Sequence, residues 1–398
     1  DLIKNKLKDR TEKKQNELSA IAKAIEPEYL DGIIGLIKKE RNIKGNVSTT
    51  TMITEQQGTG VLQDGYIAQL ILNFDNGENA KLLYKYNKKG NSAVGEEISD
   101  ILRERGIEFV PKRYKTDNVT PLDPGMLVGR RHVWKGFDER GSGIERFKRE
   151  NESPKRGAFY EWLNAESLEE KIIKGEEPIV VEPVKKEQIE DIFEKMFQVY
   201  SDDSLSKINP PTDTQHTGLI KRINPAEAKK NNVVNNFIAK LNNNYKSLEG
   251  ITKTLIHGDL HQGNVMEGGN KTHVIDWDSA QIGIPYQDFM YFSVISDFEK
   301  SREYGSMKEE FLKKQAEIIP DFKPEHQKMI EFETYLTLLT RIYRNRKEYV
   351  DEHKGNMLNS AKYLLEKSKE TLREYSQLIG NTELEDSYED YAKEKFNK

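Results

Sequence analysis

Hydrophobic periodicity divides the chain into a helical start, a stretch of strands and a long helical second half. Residues 1–45 carry apolar side chains at helical spacing, interrupted by Pro27, which predicts an N-terminal helical extension. The stretches TTTMITEQ, YIAQLILNF and KLLYKY carry the β-branched and aromatic residues typical of strands. The turn sequence Asp75-Asn76-Gly77 separates the second stretch from the third, so we predict an antiparallel meander.

Helical spacing returns after the meander. We predict a helix from Ser92 to Arg105, followed by a strand in IEFVP, residues 107–111. The segment GAFYEWLNAESL predicts a strand and then a helix start capped by Ser167, and KKEQIEDIFEKMFQVY predicts a helix with one buried face. From Gln287 to Tyr375 the pattern is helical throughout.

Polar segments separate these elements. We predict insertions at 112–157 and 201–250, and frayed structure in the charged last twenty residues. The segregation of strands and helices favours an α+β fold in two lobes, with an antiparallel sheet and one helix in the N-lobe and a mostly helical C-lobe. We expect a division into a helical extension at 1–45, an N-lobe at 46–157 with an insertion after residue 111, and a hinge and C-lobe at 158–398. The catalytic segment would occupy 255–290.

Composition narrows the chemistry. The 398 residues are 32% charged and 35% hydrophobic, enough for a sizeable core, and the net charge of -5 gives no reason to expect nucleic acid as a partner. Cysteine is absent, which excludes disulfides, thiolate metal sites and cysteine nucleophiles. We find no apolar run near 18 residues and no signal-peptide pattern, so we expect a cytoplasmic protein with no membrane partner.

The candidate chemistry lies in HGDLHQGNVMEGGNKTHVIDWD, from His257 to Asp278. Phosphoryl transfer from a nucleotide requires a carboxylate near the attacking hydroxyl, oxygen ligands for magnesium and cations on the phosphates. Asp259 lies five residues before Asn264, so one tight loop can direct both side chains to the same place. A hairpin through the following Gly-rich turn would bring Asp276 beside Asn264.

This segment resembles the loop and following strand of the aminoglycoside phosphotransferase and choline kinase superfamily, whose members share the protein-kinase fold. The resemblance implies a two-lobed protein-kinase-like fold and an ATP-dependent phosphotransferase. It implies Asp259 as the catalytic base or hydroxyl-orienting carboxylate, Asn264 and Asp276 as magnesium ligands, and His257 as an organiser of the loop. Asp278 either assists a second metal or caps the next turn.

Three neighbouring residues have less specific roles. His261 either contacts the substrate or forms a hydrogen bond within the loop. Trp277 is expected to pack in the core. The resemblance places Asp288 where the family anchors the loop to a helix.

The N-terminal half offers residues for the phosphates. Lys85 in KLLYKY can point into a cleft and contact them, or it is a solvated lysine at a strand edge. On the next helix Glu97 borders the apolar stripe, which makes it a better partner for Lys85 than Glu96. Gly58 and Gly60 lie where a kinase-like fold places its phosphate-covering loop.

The adenine site is implied by the resemblance of FYEWLNAESL to the family's hinge strand. It places the base against backbone groups near Glu161, Trp162 and Leu163. The expected cofactors are therefore ATP and Mg²⁺. The sequence does not choose between ATP and GTP, and it leaves the oligomeric state open.

The acceptor admits several interpretations. Gly258 stands where protein kinases carry Arg, and D-F-G and A-P-E are missing, which favours a small-molecule hydroxyl acceptor. A peptide acceptor is the alternative, because Tyr84-Lys85 and Asp259, His261 and Asn264 also resemble the outline of lanthipeptide dehydratases. A non-catalytic pseudokinase that binds a partner is the third interpretation. Aromatic and charged residues of the C-terminal helices either form the acceptor pocket or pack the helices together: Tyr286, Asp288, Tyr291, Tyr335, Arg341, Tyr343, Arg344 and Arg346.

Overall fold

The computed structural model describes residues 27–53, 65–87, 93–114, 158–161, 163, 166–167, 184–207, 223, 231–268, 271–345 and 354–396. The chain forms two compact units. The first comprises 1–132, 145–179 and 263–278, and the second comprises 133–144, 180–262 and 279–398. The boundary between Gln262 and Gly263 falls inside the catalytic segment.

The first unit contains a five-stranded antiparallel sheet in the order β1-β2-β3-β5-β4. Its strands are β1 Val47–Ile53, β2 Gly65–Phe74, β3 Asn79–Asn87, β4 Arg113–Tyr114 and β5 Ala158–Glu161. Among its described residues, two helices accompany the sheet, α1 Pro27–Arg41 and α2 Ala93–Glu104. A smaller sheet joins β6 Glu166–Ser167, β8 Val265–Gly268 and β9 Lys271–Val274 in the order β6-β8-β9. The predicted meander, α1 and α2 are confirmed.

The core of the first unit follows from two periodicities. In α1, Ile33 and Ile37 are one turn apart and fully buried, and in β2 the alternate residues Leu70, Leu72 and Phe74 are buried with them. Burying each such side chain contributes about 1.5–3 kcal/mol before the entropy of ordering the chain is counted. This cluster therefore fixes α1 on one face of the sheet.

One sequence prediction in the first unit is wrong. Residues 107–111 form a turn instead of a strand, and Ile107, Phe109 and Val110 are all buried, without the alternation of a strand that has one solvated face. Ser167, the expected N-cap, lies in β6 and pairs with Met266 of β8, about a hundred residues away. The residues after Ser167, where the helix would begin, lie outside the described residues, so that helix stays a prediction.

The second unit is mostly helical. The helices in its described part are α3 Lys186–Tyr200, α4 Asn232–Tyr245, α5 Pro285–Ile295, α6 Tyr304–Ile318, α7 Pro324–Asn345, α8 Lys354–Ile379 and α9 Glu383–Phe396. A two-stranded antiparallel ladder pairs β7 Thr254–Ile256 with β10 Gln281–Gly283. None of the helices in the described part of the chain combines the length and apolar character needed to cross a membrane.

The core of the second unit is aromatic. Phe193 of α3 lies 5.4 Å from Phe289 of α5 and 5.2 Å from Phe311 of α6, measured between ring centroids. Rings at this separation, tilted or edge-to-face, gain about 0.5–1.5 kcal/mol beyond their buried area. Helix α5 is buried from Pro285 to Val294 and lies within this core. Its polar residues are consequently held in fixed positions.

Two further expectations are corrected in the second unit. The segment predicted as a polar insertion at 201–250 contains α4, whose N-terminus is capped by Asn231 accepting from Val233 N at 3.0 Å. The last twenty residues contain α9 and are not frayed up to Phe396. The two helices stabilise each other, since Phe237 of α4 stacks on Tyr391 of α9 at 4.5 Å. With an antiparallel sheet in one unit and helices dominating the other, the α+β class is confirmed.

Candidate active site

The predicted phosphate-binding lysine lies on an interior strand. Lys85 of β3 pairs with Ile67 of β2 on one side and with Ala158 of β5 on the other. The backbone position is therefore not that of a sheet-edge lysine. The side chain of Lys85, together with Gly58 and Gly60, lies outside the described residues.

Helix α2, which carries Glu97, is held to the sheet by two ion pairs. Asp100 forms a bidentate pair with Arg113 of β4, with Arg113 Nε donating to Oδ1 at 3.1 Å. Arg103 Nη2 donates to Glu161 Oε1 at 2.8 Å. The side chain of Glu97 lies outside the described residues, so its predicted contact with Lys85 stays a prediction. The ion pairs nevertheless fix the helix that bears it.

Glu161, at the end of β5, has its carboxylate engaged in structure. Glu161 Oε1 accepts from Lys112 N at 2.7 Å as well as from Arg103, and Glu161 N donates to Lys112 O at 2.8 Å. Its backbone N–H is therefore occupied, and the predicted contact of this segment with a nucleotide base stays a prediction. Leu163 is half-buried. Trp162 lies outside the described residues.

The predicted magnesium ligands are joined through the backbone. Ile275 N donates to Asn264 O at 2.9 Å, which places the residue before Asp276 against the residue that supplies the amide. Asn264 is buried and Asp276 is exposed. Asp276 adopts a left-handed backbone conformation with φ of 62°, which is uncommon outside glycine and tolerated best by Asn and Asp. Strained positions of this kind concentrate at functional sites.

The donor set fits magnesium. Mg²⁺ in nucleotide sites is held by one or two carboxylates together with the phosphates and waters, so a pair such as Asn264 and Asp276 supplies suitable oxygen atoms. Within the described ranges no group of three or more His, Cys, Asp or Glu could hold a metal by itself. A metal at this place would therefore depend on the phosphates of the nucleotide for its remaining ligands.

Helix α2 approaches Asp278 closely at a glycine, Gly95. A Cβ placed on Gly95 of α2 would overlap the carboxylate of Asp278 and lie 2.6 Å from its backbone N. Glycine at this position permits the close approach of α2. Trp277 is buried and donates from Nε1 to Val274 O at 3.1 Å, which confirms its expected packing role.

In the second unit, the loop that begins at His257 is anchored to α5. Asp288 Oδ2 accepts from His257 N at 2.8 Å and Asp288 Oδ1 accepts from Gly258 N at 2.9 Å, while Tyr200 Oη donates to Oδ2 at 3.0 Å. Asp288 is 1% exposed, and burial raises the pKa of its carboxyl, with His257 and the donated hydrogen bonds opposing the rise. The expected anchoring role of Asp288 is confirmed.

Gly258 is required by two features of this loop. Its φ is 78°, and a Cβ there would overlap Ser279 O and lie 3.1 Å from the carbonyl carbon of the same residue. Any side chain would therefore push the loop away from Ser279. This is a physical reason for the Gly258 that distinguishes the segment from protein kinases.

Asp259 follows directly, with its side chain about one-third exposed. Its backbone N donates to His257 Nδ1 at 3.3 Å, and His257 is fully buried, an arrangement consistent with the predicted organising role. His261 Nε2 lies 3.9 Å from Asp259 Oδ2. Tyr291 of α5 also forms a side-chain hydrogen bond with Asp259.

The aromatic and charged residues of the C-terminal helices separate into different environments. Tyr286 is buried and donates to Glu331 at 2.6 Å, Tyr335 donates to Glu299 at 2.6 Å, and Tyr343 donates to Phe396 O at 3.0 Å. These contacts support the helix-packing alternative for those three tyrosines. The side chain of Arg344 and the whole of Arg346 lie outside the described residues.

Several residues near the predicted site were missed by reasoning from the sequence. Gly95 was detectable, since an isolated glycine costs a helix about 1 kcal/mol relative to alanine and usually has a packing or functional reason. The ion pairs of Asp100 and Arg103 were not, because their partners are distant in sequence. His273 of β9 was also missed; its Nδ1 is buried without a hydrogen-bond partner, and burial lowers the pKa of the imidazole.

The model of the phosphotransferase enzyme family matches residues 210–314, which include the whole catalytic segment. The resemblance inferred from His257, Asp259, Asn264 and Asp276 is thereby confirmed. No curated protein sequence matches the chain significantly.

Three solved structures are similar to the chain at low sequence identity. The choline kinase LicA from Streptococcus pneumoniae is 14% identical, with a TM-score of 0.45, and the match covers 84% of this chain and 98% of the kinase. LicA in complex with AMP is 14% identical, with a TM-score of 0.48, and the match covers 85% of this chain and 98% of LicA. A choline kinase from Cryptosporidium parvum Iowa II is 11% identical, with a TM-score of 0.47, and the match covers 87% of this chain and 97% of that kinase.

Proposed function

We propose that this chain is a magnesium-dependent phosphotransferase that moves the γ-phosphate of ATP to a hydroxyl group of a small molecule. The observation that carries the proposal is the loop at Asp259. A partly exposed carboxylate follows two backbone N–H groups that are held by the buried Asp288, inside the segment matched by the phosphotransferase family. A rigid loop presenting a carboxylate suits the activation and orientation of an attacking hydroxyl.

The proposed role of Asp259 is to accept the hydrogen bond of the acceptor hydroxyl. It then takes the hydroxyl proton as the new oxygen–phosphorus bond forms, the bond between the γ-phosphorus and the bridging oxygen breaks and ADP leaves. His257 and Asp288 keep the loop in place during this step. Asn264 and Asp276 would hold the magnesium ion, which neutralises charge on the phosphates when it is bound.

The remaining proposed roles belong to the first unit. Lys85, supported by Glu97, would contact the phosphates, and Gly58 and Gly60 would cover them. The adenine would lie against the carbonyl of Glu161 and the backbone of Trp162 and Leu163. The occupied N–H of Glu161 excludes it as a donor to the base.

A small-molecule acceptor is favoured over the protein acceptor of a protein kinase by the sequence of the loop. Gly258 is fixed by its positive φ and by its contact with Ser279, so the loop is built without the arginine found there in protein kinases. Asp276-Trp277-Asp278 takes the place of D-F-G, and Trp277 is locked in the core. Neither feature fits an activation loop that is switched by phosphorylation.

The metal assignment is tested by thermal unfolding with AMP-PNP, with and without magnesium, for the wild type and Asp276→Asn. A ligand at a hundred times its Kd stabilises a protein by about 2.7 kcal/mol. We expect magnesium-dependent stabilisation in the wild type and its loss in Asp276→Asn, since an amide is a poorer ligand for Mg²⁺ than a carboxylate.

Asp297→Asn is the matched control. Asp297 is also an exposed aspartate in the left-handed conformation, with φ of 56°, and it pairs with Lys300 outside the catalytic segment. The Asp→Asn change suits both backbones, because both residue types tolerate this conformation. An equal loss of magnesium-dependent stabilisation in Asp276→Asn and Asp297→Asn would contradict the metal assignment. So would stabilisation of the wild type by AMP-PNP that does not depend on magnesium.

A further inference from the structure

The carboxylate of Asp259 is contacted by a tyrosine on the same helix that anchors its loop. Tyr291 lies three residues after Asp288 in α5, so the two side chains emerge from one face of the helix. Asp288 holds the backbone of the loop at His257 and Gly258, and Tyr291 forms a hydrogen bond with the side chain of Asp259. Helix α5 therefore contacts the loop at its backbone and at the proposed base.

A second helix contributes to the same arrangement. Arg341 of α7 donates from Nη1 to Tyr291 Oη at 2.5 Å. Because the guanidinium is a donor only, it occupies a lone pair of the phenol and leaves the phenolic proton for the carboxylate. The hydroxyl of Tyr291 thus links Arg341 to Asp259.

The environment of the Tyr291 phenol keeps its hydroxyl protonated, so that the hydroxyl can donate to Asp259. Tyr291 is 5% exposed, whereas Arg341 is exposed. Burial and the neighbouring Asp259 raise the pKa of Tyr291 well above its ordinary range. The phenol therefore retains its proton at neutral pH and acts as a hydrogen-bond donor throughout.

We infer that Tyr291 and Arg341 are positioning residues that hold the carboxylate of Asp259 in one orientation toward the acceptor hydroxyl. The inference rests on the proposed function. A carboxylate on a short side chain can rotate about two bonds, and a misplacement of about 1 Å at a reacting group can cost about a hundredfold in rate. The bond from Tyr291, reinforced by Arg341, restricts that rotation.

A purely structural role has different consequences. If the hydroxyl of Tyr291 only satisfied buried polar groups, its removal would lower stability without a specific effect on the chemical step. A positioning role instead lowers kcat and leaves KM for magnesium-ATP unchanged, because the nucleotide is bound by other residues.

The kinetic test compares Tyr291→Phe, Arg341→Gln and the double variant. The probe is magnesium-ATP with water as the acceptor, measured as phosphate release, and then with a pool of small alcohols and amino alcohols. We expect each single variant to lower kcat about tenfold with KM for magnesium-ATP within about twofold of the wild type. The double variant should be no worse than the more affected single variant, since both act on one carboxylate. Arg341→Lys should recover part of the loss.

Matched controls come from the same helical unit. Tyr388 is a buried tyrosine whose hydroxyl lies 2.6 Å from Ser368 Oγ, and Arg373 pairs with Glu385. Tyr388→Phe and Arg373→Gln remove the same groups at places outside the catalytic segment. Both should keep the wild-type kcat.

A spectroscopic measurement requires no turnover. In protein labelled with ¹³C at the tyrosine Cζ, the Tyr291 resonance should shift on Asp259→Asn and on Arg341→Gln, while the Tyr388 resonance should not. A Tyr291 resonance that is insensitive to both changes would overturn the inference.

The outcomes separate the inference from the function on which it rests. If Asp259→Asn loses turnover while Tyr291→Phe and Arg341→Gln keep the wild-type kcat, the inference is wrong and the proposed function stands. If the wild type transfers no phosphate to water or to any member of the pool, or if Asp259→Asn retains full turnover, the proposed function fails and the inference fails with it.

Discussion

Replacing Asp288 by alanine should weaken both the stability of the protein and the order of the catalytic loop. The change removes a buried carboxylate that accepts from the backbone N–H groups of His257 and Gly258 and from the hydroxyl of Tyr200. At 1% exposure, water cannot readily replace these acceptors in the folded protein. The three donors would remain without a partner.

The loss of unfolding free energy expected for Asp288→Ala is the net result of opposing contributions. A hydrogen bond to a charged group contributes about 1.5–3 kcal/mol, so three such bonds set an upper limit well above the effect of a typical substitution. Burial of the carboxylate works in the other direction, as the raised pKa of Asp288 shows, and alanine relieves that cost. Removing one partner from a buried charged network usually costs about 3–5 kcal/mol. We therefore expect a loss of about 3 kcal/mol, which a domain of ordinary stability survives.

Urea unfolding of the wild type, Asp288→Ala and Tyr200→Phe measures this directly. Tyr200→Phe removes one donor and leaves no new unpaired group on the loop, so it should cost about 1 kcal/mol and keep most of the turnover. Asp288→Ala should cost more and also lower kcat. A cost below about 1 kcal/mol for Asp288→Ala, with unchanged turnover, would refute the anchoring role.

Three further perturbations give distinct outcomes. Gly95→Ala should weaken magnesium-nucleotide binding in thermal-shift titrations, since a methyl there collides with Asp278; retention of wild-type binding would contradict the close approach. Burial lowers the pKa of His273, whereas the unfolded chain takes up that proton near pH 6.5, so stability should fall as the pH drops from 7 to 5, and less steeply in His273→Gln. An unchanged slope of unfolding free energy against pH in the variant would count against this. Phe237→Ala, which removes the ring stacked on Tyr391, should lower the unfolding free energy by about 3–5 kcal/mol, and a loss below about 1 kcal/mol would show that α9 is held by other contacts.

The parts of the fold that the sequence predicted correctly are those with strong local signals. In β2, three alternate apolar residues and the following turn with Gly77 specify a hairpin without help from distant residues. In α3, apolar residues at helical spacing produce a buried face, with Ile189, Ile192 and Phe193 all buried. Local pattern and tertiary environment agree in both elements.

The failures lie where distant partners decide the structure. The segment 107–111 has strand-like residues, but Phe109 contributes one carbonyl to Val274 N and no ladder forms. The sequence predicts an insertion and a frayed end where the structure has α4 and α9, because both segments are polar. Each helix packs its aromatic residues against those of the other. Because the two helices are more than a hundred residues apart, the local sequence of either one does not indicate the packing partner on which it depends.

The candidate site shows the same division. The spacing of Asp259, Asn264 and Asp276 indicated the chemistry, since it lies within one short segment. The contact of Tyr291 with Asp259, and of Arg341 with Tyr291, could not be distinguished from helix packing, because fifty residues separate the two helical positions. Only the packing of α5 and α7 brings them together.

The central claim is tested most directly by following the label of [γ-³²P]ATP into a pool of small hydroxyl compounds in the presence of magnesium. The wild type should transfer label to at least one acceptor, and Asp259→Asn should lower the rate of transfer by about 10²–10⁴ while AMP-PNP still stabilises the variant against heat. Transfer at the wild-type rate by Asp259→Asn, or no transfer by the wild type to any acceptor, would contradict the account.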